Sequence, residues 1–235
     1  MTRRRWIADR IEGERAFLLA ANAAHLVRVL RAKVGQQFDI AVGGSVRVGA
    51  IVSITPEEVE FTLGPLVESE PLPEIHVVLS IFKFDRFEWA IEKLTELGVA
   101  SVMPAVAGRT EPHLAKAAER RVDRWRKLAH EAAQQARRLS APEILAPVPL
   151  KKAVLETKGH CVVLSEAEKA ITLKSVLSSV RAPLTLAFGP EGGWTGEELK
   201  VFQERGWRSA SLGATILRAE TAAIAAVAIA MSELS

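Results

Sequence analysis

The first seventy residues carry an alternating pattern of apolar and polar positions. Phe38 to Val42 reads as a short strand and Gly43-Gly44 as a two-residue hairpin turn. Val46, Val48, Ala50, Val52 and Ile54 then repeat with period two along a return strand that buries one face. Leu26, Val29 and Leu30 fit a short amphipathic helix with Asn22 as its N-cap. A closed or nearly closed β-barrel with one helix is the natural packing of these pieces. The segment Glu68 to Glu74, charged and punctuated by Pro71 and Pro73, breaks the periodicity and reads as a linker. Residues 1–70 are thus expected to form a small first domain and residues 73–235 a second.

Beyond the linker, apolar runs of strand length alternate with helical patterns. Ile75 to Phe82 precedes a helix over Arg86 to Leu97, and Ser101 to Ala105 precedes one long helix over Leu114 to Leu139. Cys161 to Leu164 and Leu184 to Phe188 read as strands, the latter followed by a helix over Thr195 to Glu204. Ala210 to Leu212 precedes a final helix over Ala219 to Ser232. Such alternation predicts an α/β domain whose parallel sheet is covered on both faces. Asp85 with Glu88 and Thr195 with Glu198 have capping-box spacing, and Gly98 is placed as a helix stop.

Composition narrows the functional classes. The longest uninterrupted apolar run, Ala222 to Met231, is half the length needed to span a bilayer, and no signal-peptide core follows Arg3, Arg4 and Arg5. A cytoplasmic location without membrane association is expected. Cys161 is the only cysteine, which excludes an intrachain disulfide and a cysteine-based zinc site. The five histidines have no metal-ligand spacing, so no metal is expected. The net charge of +3 is unevenly spread: residues 109–152 hold eleven Lys/Arg against five Asp/Glu, and residues 1–47 hold nine against four. Two basic regions fit either a polyanion partner, with nucleic acid foremost, or a pair of solvated faces, and charge alone does not choose between them.

Chemistry is expected where loops leave the carboxyl ends of parallel strands. Gly189-Pro190-Glu191-Gly192-Gly193 follows one strand, and Gly213-Ala214-Thr215-Ile216-Leu217-Arg218 follows another. The first loop lacks both the Walker lysine and the dinucleotide glycine spacing, and Glu191 would repel a phosphate. Glycines with a carboxylate suit a flat ligand that is neutral or cationic. Arg218, Glu220 and Thr221 open a helix with six alanines in the nine positions 222–230, slim enough to pack deep in the domain or against a second subunit. Arg218 stands as a fixed cation at the rim.

These motifs, taken in order, resemble those of the RsmE family of small-subunit ribosomal RNA methyltransferases, part of the SPOUT superfamily. The first domain supplies His25-Leu26-Val27-Arg28-Val29-Leu30-Arg31 followed by Gly35. The second supplies Lys83, Lys93 to Val99, Pro104, Arg109, Arg124-Trp125, Glu131 to Arg138 and Pro142. The two loops above complete the set, the last running as Ile216-Leu217-Arg218-Ala219-Glu220-Thr221-Ala222. Thr215 stands where the family usually has an arginine, and Ala214 where it often has a proline.

The resemblance implies a trefoil-knotted SPOUT domain preceded by a PUA-like RNA-binding barrel, acting as a homodimer. It implies S-adenosyl-L-methionine as cofactor and N3 of a uridine in the decoding region of 16S ribosomal RNA, within the small ribosomal subunit, as the methylated atom. Cofactor contacts then fall to Leu164, Gly189, Pro190, Glu191, Gly192, Gly193, Leu212, Gly213, Ile216, Leu217 and Thr221. RNA contacts fall to Arg3, Arg4, Arg28, Arg31, Arg109 and Arg138. Arg218 is the candidate for stabilising the uracil anion or gripping the adjacent phosphate, and Glu131 and Glu220 are alternative proton acceptors. Two other readings stand beside this one: a SPOUT enzyme acting on another RNA such as transfer RNA, and a non-catalytic ribosome-assembly protein.

Overall fold

A computed structural model describes residues 4–68, 71–157 and 159–235. Arg3 and the linker positions Ser69 and Glu70 lie outside the described residues. The chain divides into two compact units, Met1–Pro71 with Ala133–Ala141, and Leu72–Ala132 with Pro142–Ser235.

The first unit contains β1 (Arg5–Ile7), β2 (Arg10–Glu12), β3 (Arg15–Leu19), α1 (Ala20–Ala24), β4 (Gln37–Val42), β5 (Ser45–Ile54) and β6 (Glu58–Val67). Its sheet runs β1-β4-β5-β6-β3-β2, with β1 parallel to β4 and the other pairs antiparallel. The two edge strands are consecutive in the chain. Between them, the Ala8 amide donates to the Ala41 carbonyl and the Asp9 amide to that of Phe17, so the sheet curls back on itself.

Gly43 and Gly44 take φ of 53° and 81°, the left-handed pair that a tight hairpin between twisted strands requires. The return strand departs from uniform alternation. Val46 is buried, but register shifts between Arg47 and Gly49 and between Ile51 and Ser53 carry the buried face to Gly49 and Ile51, leaving Val52 exposed. Gly49 has to be glycine, since a β-carbon there would stand 2.4 Å from Ile40 Cγ1.

Asn22 is no cap. It lies inside α1 and donates to the Asp9 carboxylate, which also accepts from the Leu19 amide at 2.8 Å. After Ala24 the chain widens into a π-helical turn, His25–Val29. The extra residue per turn rotates Val29 out to solvent while Leu26 stays buried.

The second sheet is formed by β7 (Ile75–Ser80), β8 (Ser101–Val106), β9 (Glu143–Ile144), β10 (Val148–Pro149), β11 (His160–Leu164), β12 (Leu184–Phe188) and β13 (Arg208–Ala210). Its order is β10-β8-β7-β12-β11-β13, with β9 also on β8, and every pairing is parallel. Alternate residues feed two cores. Ile75, Val77 and Leu79 of β7 and Leu184, Leu186 and Phe188 of β12 point to one side, and Val78 and Ala187 to the other.

The first of these faces is covered by α2 (Phe84–Leu97), α4 (Val122–Gln135), α6 (Leu173–Leu177) and α8 (Ala219–Leu234). On α8, Ala223, Ala226, Val227 and Ala230 are buried at helical spacing. The opposite face carries α5 (Leu150–Glu156) and α7 (Gly196–Glu204), with Trp194, Phe202 and Trp207 stacked edge to face at 4.9 Å centroid distances. The expected two-sided cover is present.

Gly98 ends α2 with φ of 100°, and Thr195 and Glu198 form the reciprocal capping box of α7. Asp85 and Glu88 do not form one. The helix starts earlier, after Lys83, and Glu88 is instead buried between Arg121 and Arg124, each within hydrogen-bond distance. The single helix expected over Leu114 to Leu139 is broken into α3 (Pro112–Ala118), a 3-10 turn Glu119–Arg121 and α4. It stops at Gln135 because Arg137 turns left-handed, with the Arg138 amide bonded back to Ala133 and that of Arg137 to Gln134.

Trp125 is fully buried, with its ring 4.7 Å from Phe87 and its Nε1 without a hydrogen-bond partner among the described residues. Trp125→Ala should lower the unfolding free energy by about 3–5 kcal/mol in urea titrations. Trp125→Phe, which removes the unpaired N–H, should cost less.

Candidate functional site

All strands of the second sheet run the same way, so their carboxyl ends meet at one edge. The loops after β11, β12 and β13 enclose an open cavity of about 340 Å³ there. Its apolar wall is built by Leu164, Phe188, Leu212, Ile216, Leu217 and Ala222. Its polar groups are the backbone of the glycine loop and the side chains of Arg86, Glu166, Glu191 and Arg218.

Local chemistry holds the loop after β12 in shape. The Gly193 amide donates to the Pro190 carbonyl at 2.8 Å, and Gly193 takes φ of 70°. A β-carbon at Gly193 would stand 2.8 Å from Glu166 Oε1, so both conformation and space demand glycine. Gly189 lets the Trp194 ring lie against the backbone, and Trp194 Nε1 donates to the Leu164 carbonyl at 2.9 Å. That bond ties the loop after β12 to the end of β11.

A second clamp comes from residues 107–110. Glu198 uses one carboxylate oxygen to cap α7 at the Thr195 amide, 2.8 Å away, and the other to accept from the Gly108 amide at 2.7 Å. Thr110 Oγ1 accepts from the Ala107 amide and donates to the Ile81 carbonyl. The loop so fixed presents Arg109, whose guanidinium donates to the Gly192 carbonyl.

Electrostatics centre on Arg86. Its guanidinium donates to Glu191 Oε1 at 2.7 Å, and its Nε lies 3.8 Å from Glu220 Oε1. Glu220 is 5% exposed, and its Oε2 has no hydrogen-bond partner among the described residues.

Of the residues singled out from sequence, Leu164, Gly189, Pro190, Glu191, Gly193, Leu212, Gly213, Ile216, Leu217 and Arg218 line this cavity together. Gly192 lies behind it against Arg109, and Thr221 is exposed in the first turn of α8. Glu131 is exposed on α4 and is not among the lining residues. Arg4, Arg28 and Arg31 are exposed in the first unit. Arg138 is half-buried, and desolvation pushes its guanidinium down to about 10, leaving it charged at neutral pH. Cys161 is half-buried in β11, where burial pushes its thiol up and away from nucleophilic use.

Sequence reading missed Arg86, Glu166 and Trp194. Trp194, directly after the glycine loop, was within reach of pattern reasoning. Arg86 was not, because nothing local marks a helical arginine as facing a loop 105 positions away.

An RNA methyltransferase domain model matches residues 68–231. The ribosomal RNA small subunit methyltransferase E of Synechocystis sp. is 32% identical over 219 residues, spanning 90% of this chain and 71% of that protein. Among solved structures, a methyltransferase of Legionella pneumophila in complex with the cofactor SAM superposes with a TM-score of 0.84 at 26% identity, covering 99% of this chain and 98% of that one. The Neisseria gonorrhoeae ribosomal RNA small subunit methyltransferase E, bound to S-adenosyl methionine, shares the fold with a TM-score of 0.84 at 23% identity over 100% and 98% of the two chains.

Glu198→Ala removes a helix cap and the Gly108 anchor together and should cost about 2–3 kcal/mol in chemical denaturation. Glu198→Gln, which keeps an acceptor for Gly108, should recover part of that loss.

Proposed function

The chain belongs to the RsmE family of ribosomal RNA small subunit methyltransferases, and on that premise we propose that it uses S-adenosyl-L-methionine to methylate N3 of a uridine in the decoding region of 16S ribosomal RNA, within the small ribosomal subunit. The observation that carries the cofactor reading is the chemistry of the cavity. An apolar wall suits an adenine ring, glycine-loop backbone suits a ribose, and Glu166 and Glu191 suit a ligand with a sulfonium and an ammonium rather than phosphates. Bound there, S-adenosylmethionine supplies a methyl group on a sulfonium, and its transfer to N3 leaves a neutral thioether.

The chain's own residues have two tasks. Uracil N3 becomes nucleophilic when its proton leaves and negative charge spreads to O2 and O4. Arg218, exposed at the cavity rim, stabilises that charge. Glu220 accepts the proton: its carboxylate lies beside Arg86, and its Oε2 is unpartnered. Neither Glu220 nor Glu131 is itself a lining residue; Glu220 is preferred because it lies beside the lining residue Arg86, whereas Glu131 is exposed on α4.

The target base has to be turned out of any pairing to expose N3. The first unit acts as a PUA-like RNA-binding module. Its Arg4, Arg28 and Arg31, with Arg3, Arg109 and Arg138, engage phosphates and impose a salt-dependent affinity. In this reading the chain closes a trefoil knot around the cofactor loops, and the outer alanines of α8 pack against a second copy in a homodimer. No helix among the described residues is long and apolar enough to cross a membrane, in keeping with the proposed cytoplasmic site of action on ribosomal subunits.

Incubation with radiolabelled S-adenosylmethionine and undermodified small subunits, beside naked 16S RNA and transfer RNA, should yield 3-methyluridine from the subunit alone. Label in transfer RNA would move the activity to another RNA, and cofactor binding with no label anywhere would favour an assembly role. Arg218→Ala should lower turnover more than cofactor affinity, and Glu220→Gln should lower turnover by about a hundredfold.

A further inference from the structure

Arg86 is placed against its local preference. It is the third residue of α2, inside the first turn, where the helix dipole disfavours a cation. Such a conflict persists when tertiary contacts outweigh it. Two carboxylates supply them, and they differ in kind. Glu191 is 36% exposed at its side chain and belongs to the loop after β12, while Glu220 is 6% exposed and opens α8. Glu220, with a buried and unpaired Oε2, has Arg86 as the cation recorded at its other oxygen.

A guanidinium has donors in a fixed planar fork, so it sets the relative geometry of two carboxylates more rigidly than the rotatable donors of an ammonium do. In this chain one arm of the fork donates to Glu191 in the loop after β12, while Nε stands 3.8 Å from Glu220 in the first turn of α8, within ion-pair reach but beyond a hydrogen bond. Glu191 faces the cavity of the proposed ligand, and Glu220 is the proposed proton acceptor.

We propose that Arg86 is a positioning residue of this site, whose guanidinium holds Glu191 toward the cofactor and Glu220 toward the base in one ionic bridge. The assignment rests on reading the cavity as the S-adenosylmethionine site. It adds a link between the loop after β12 and the first turn of α8. Without Arg86, Glu191 loses its anchor, and two carboxylates with no shared cation repel each other.

The test is a pair of double-mutant cycles on the full chain, reading S-adenosylmethionine affinity by calorimetry, turnover at saturating cofactor and RNA, and thermal unfolding. Arg86→Met is expected to raise the cofactor Kd by about tenfold, but by under about threefold in a Glu191→Gln background. Turnover is expected to fall about tenfold in the parent and to change by less than about twofold in Glu220→Gln. Arg86→Lys, which keeps the charge and loses the fork, should restore the unfolding temperature while the Kd stays raised. Equal factors in parent and double backgrounds would overturn the proposal, because a residue that only packs α2 has no reason to couple to either carboxylate. Should Arg86→Met fail to fold, Arg86→Lys and Arg86→Gln carry the same cycles. Should the parent bind no S-adenosylmethionine, the cofactor reading fails on its own. The Arg86–Glu220 link is then decided by thermal unfolding: recovery of the Arg86→Met loss by Glu220→Gln supports it, and no recovery overturns it.

Discussion

The central strand β12 is buried on both faces, with Leu184, Leu186 and Phe188 toward one core and Ala187 toward the other. Parallel neighbours on each side leave it no edge, and its carboxyl end opens into a loop that lies beside the loops after β11 and β13. The cavity follows from that constraint. Polar backbone gathers where the strands stop pairing, over a floor supplied by the last apolar side chains of the strands, Leu164 and Phe188. A site built this way has a rigid base.

The rim is held by bonds that each tie a loop to another part of the chain. Trp194 to Leu164 binds the loop after β12 to β11, Glu198 to Gly108 and Arg109 to Gly192 bind it to the loop after β8, and Arg86 to Glu191 binds it to α2. Direct hydrogen bonds to charged groups are worth more than neutral ones, and three of these four are of that kind. The glycine loop is thereby presented in a set shape, which lowers the entropy lost when a ligand is bound.

The slim helix α8 answers a different need. Small residues at 223, 226 and 230 allow close approach to α2 and the sheet, and the same helix carries Glu220 into the protein beside the cavity. A bulkier face would push its first turn outward and separate Glu220 from Arg86.

Much of this was legible in the amino-acid sequence because its signals are local. The Gly43-Gly44 hairpin, the Thr195–Glu198 capping box, the Gly98 stop, the doubly apolar strands and the two cavity loops all arise from interactions within a few residues, which periodicity reports directly. The misreadings lay where a distant partner overrode a local pattern. Glu88 has capping-box spacing but answers Arg121 and Arg124, Asn22 answers Asp9, and a register shift against β6 turns the face of β5. Only the tertiary structure decided that Arg86 meets Glu191 across 105 positions and that Glu198 reaches Gly108 across 90. Such pairings are set by strand order in the sheet, and strand order depends on how whole elements bury their faces against one another, a quantity that no short window of sequence contains.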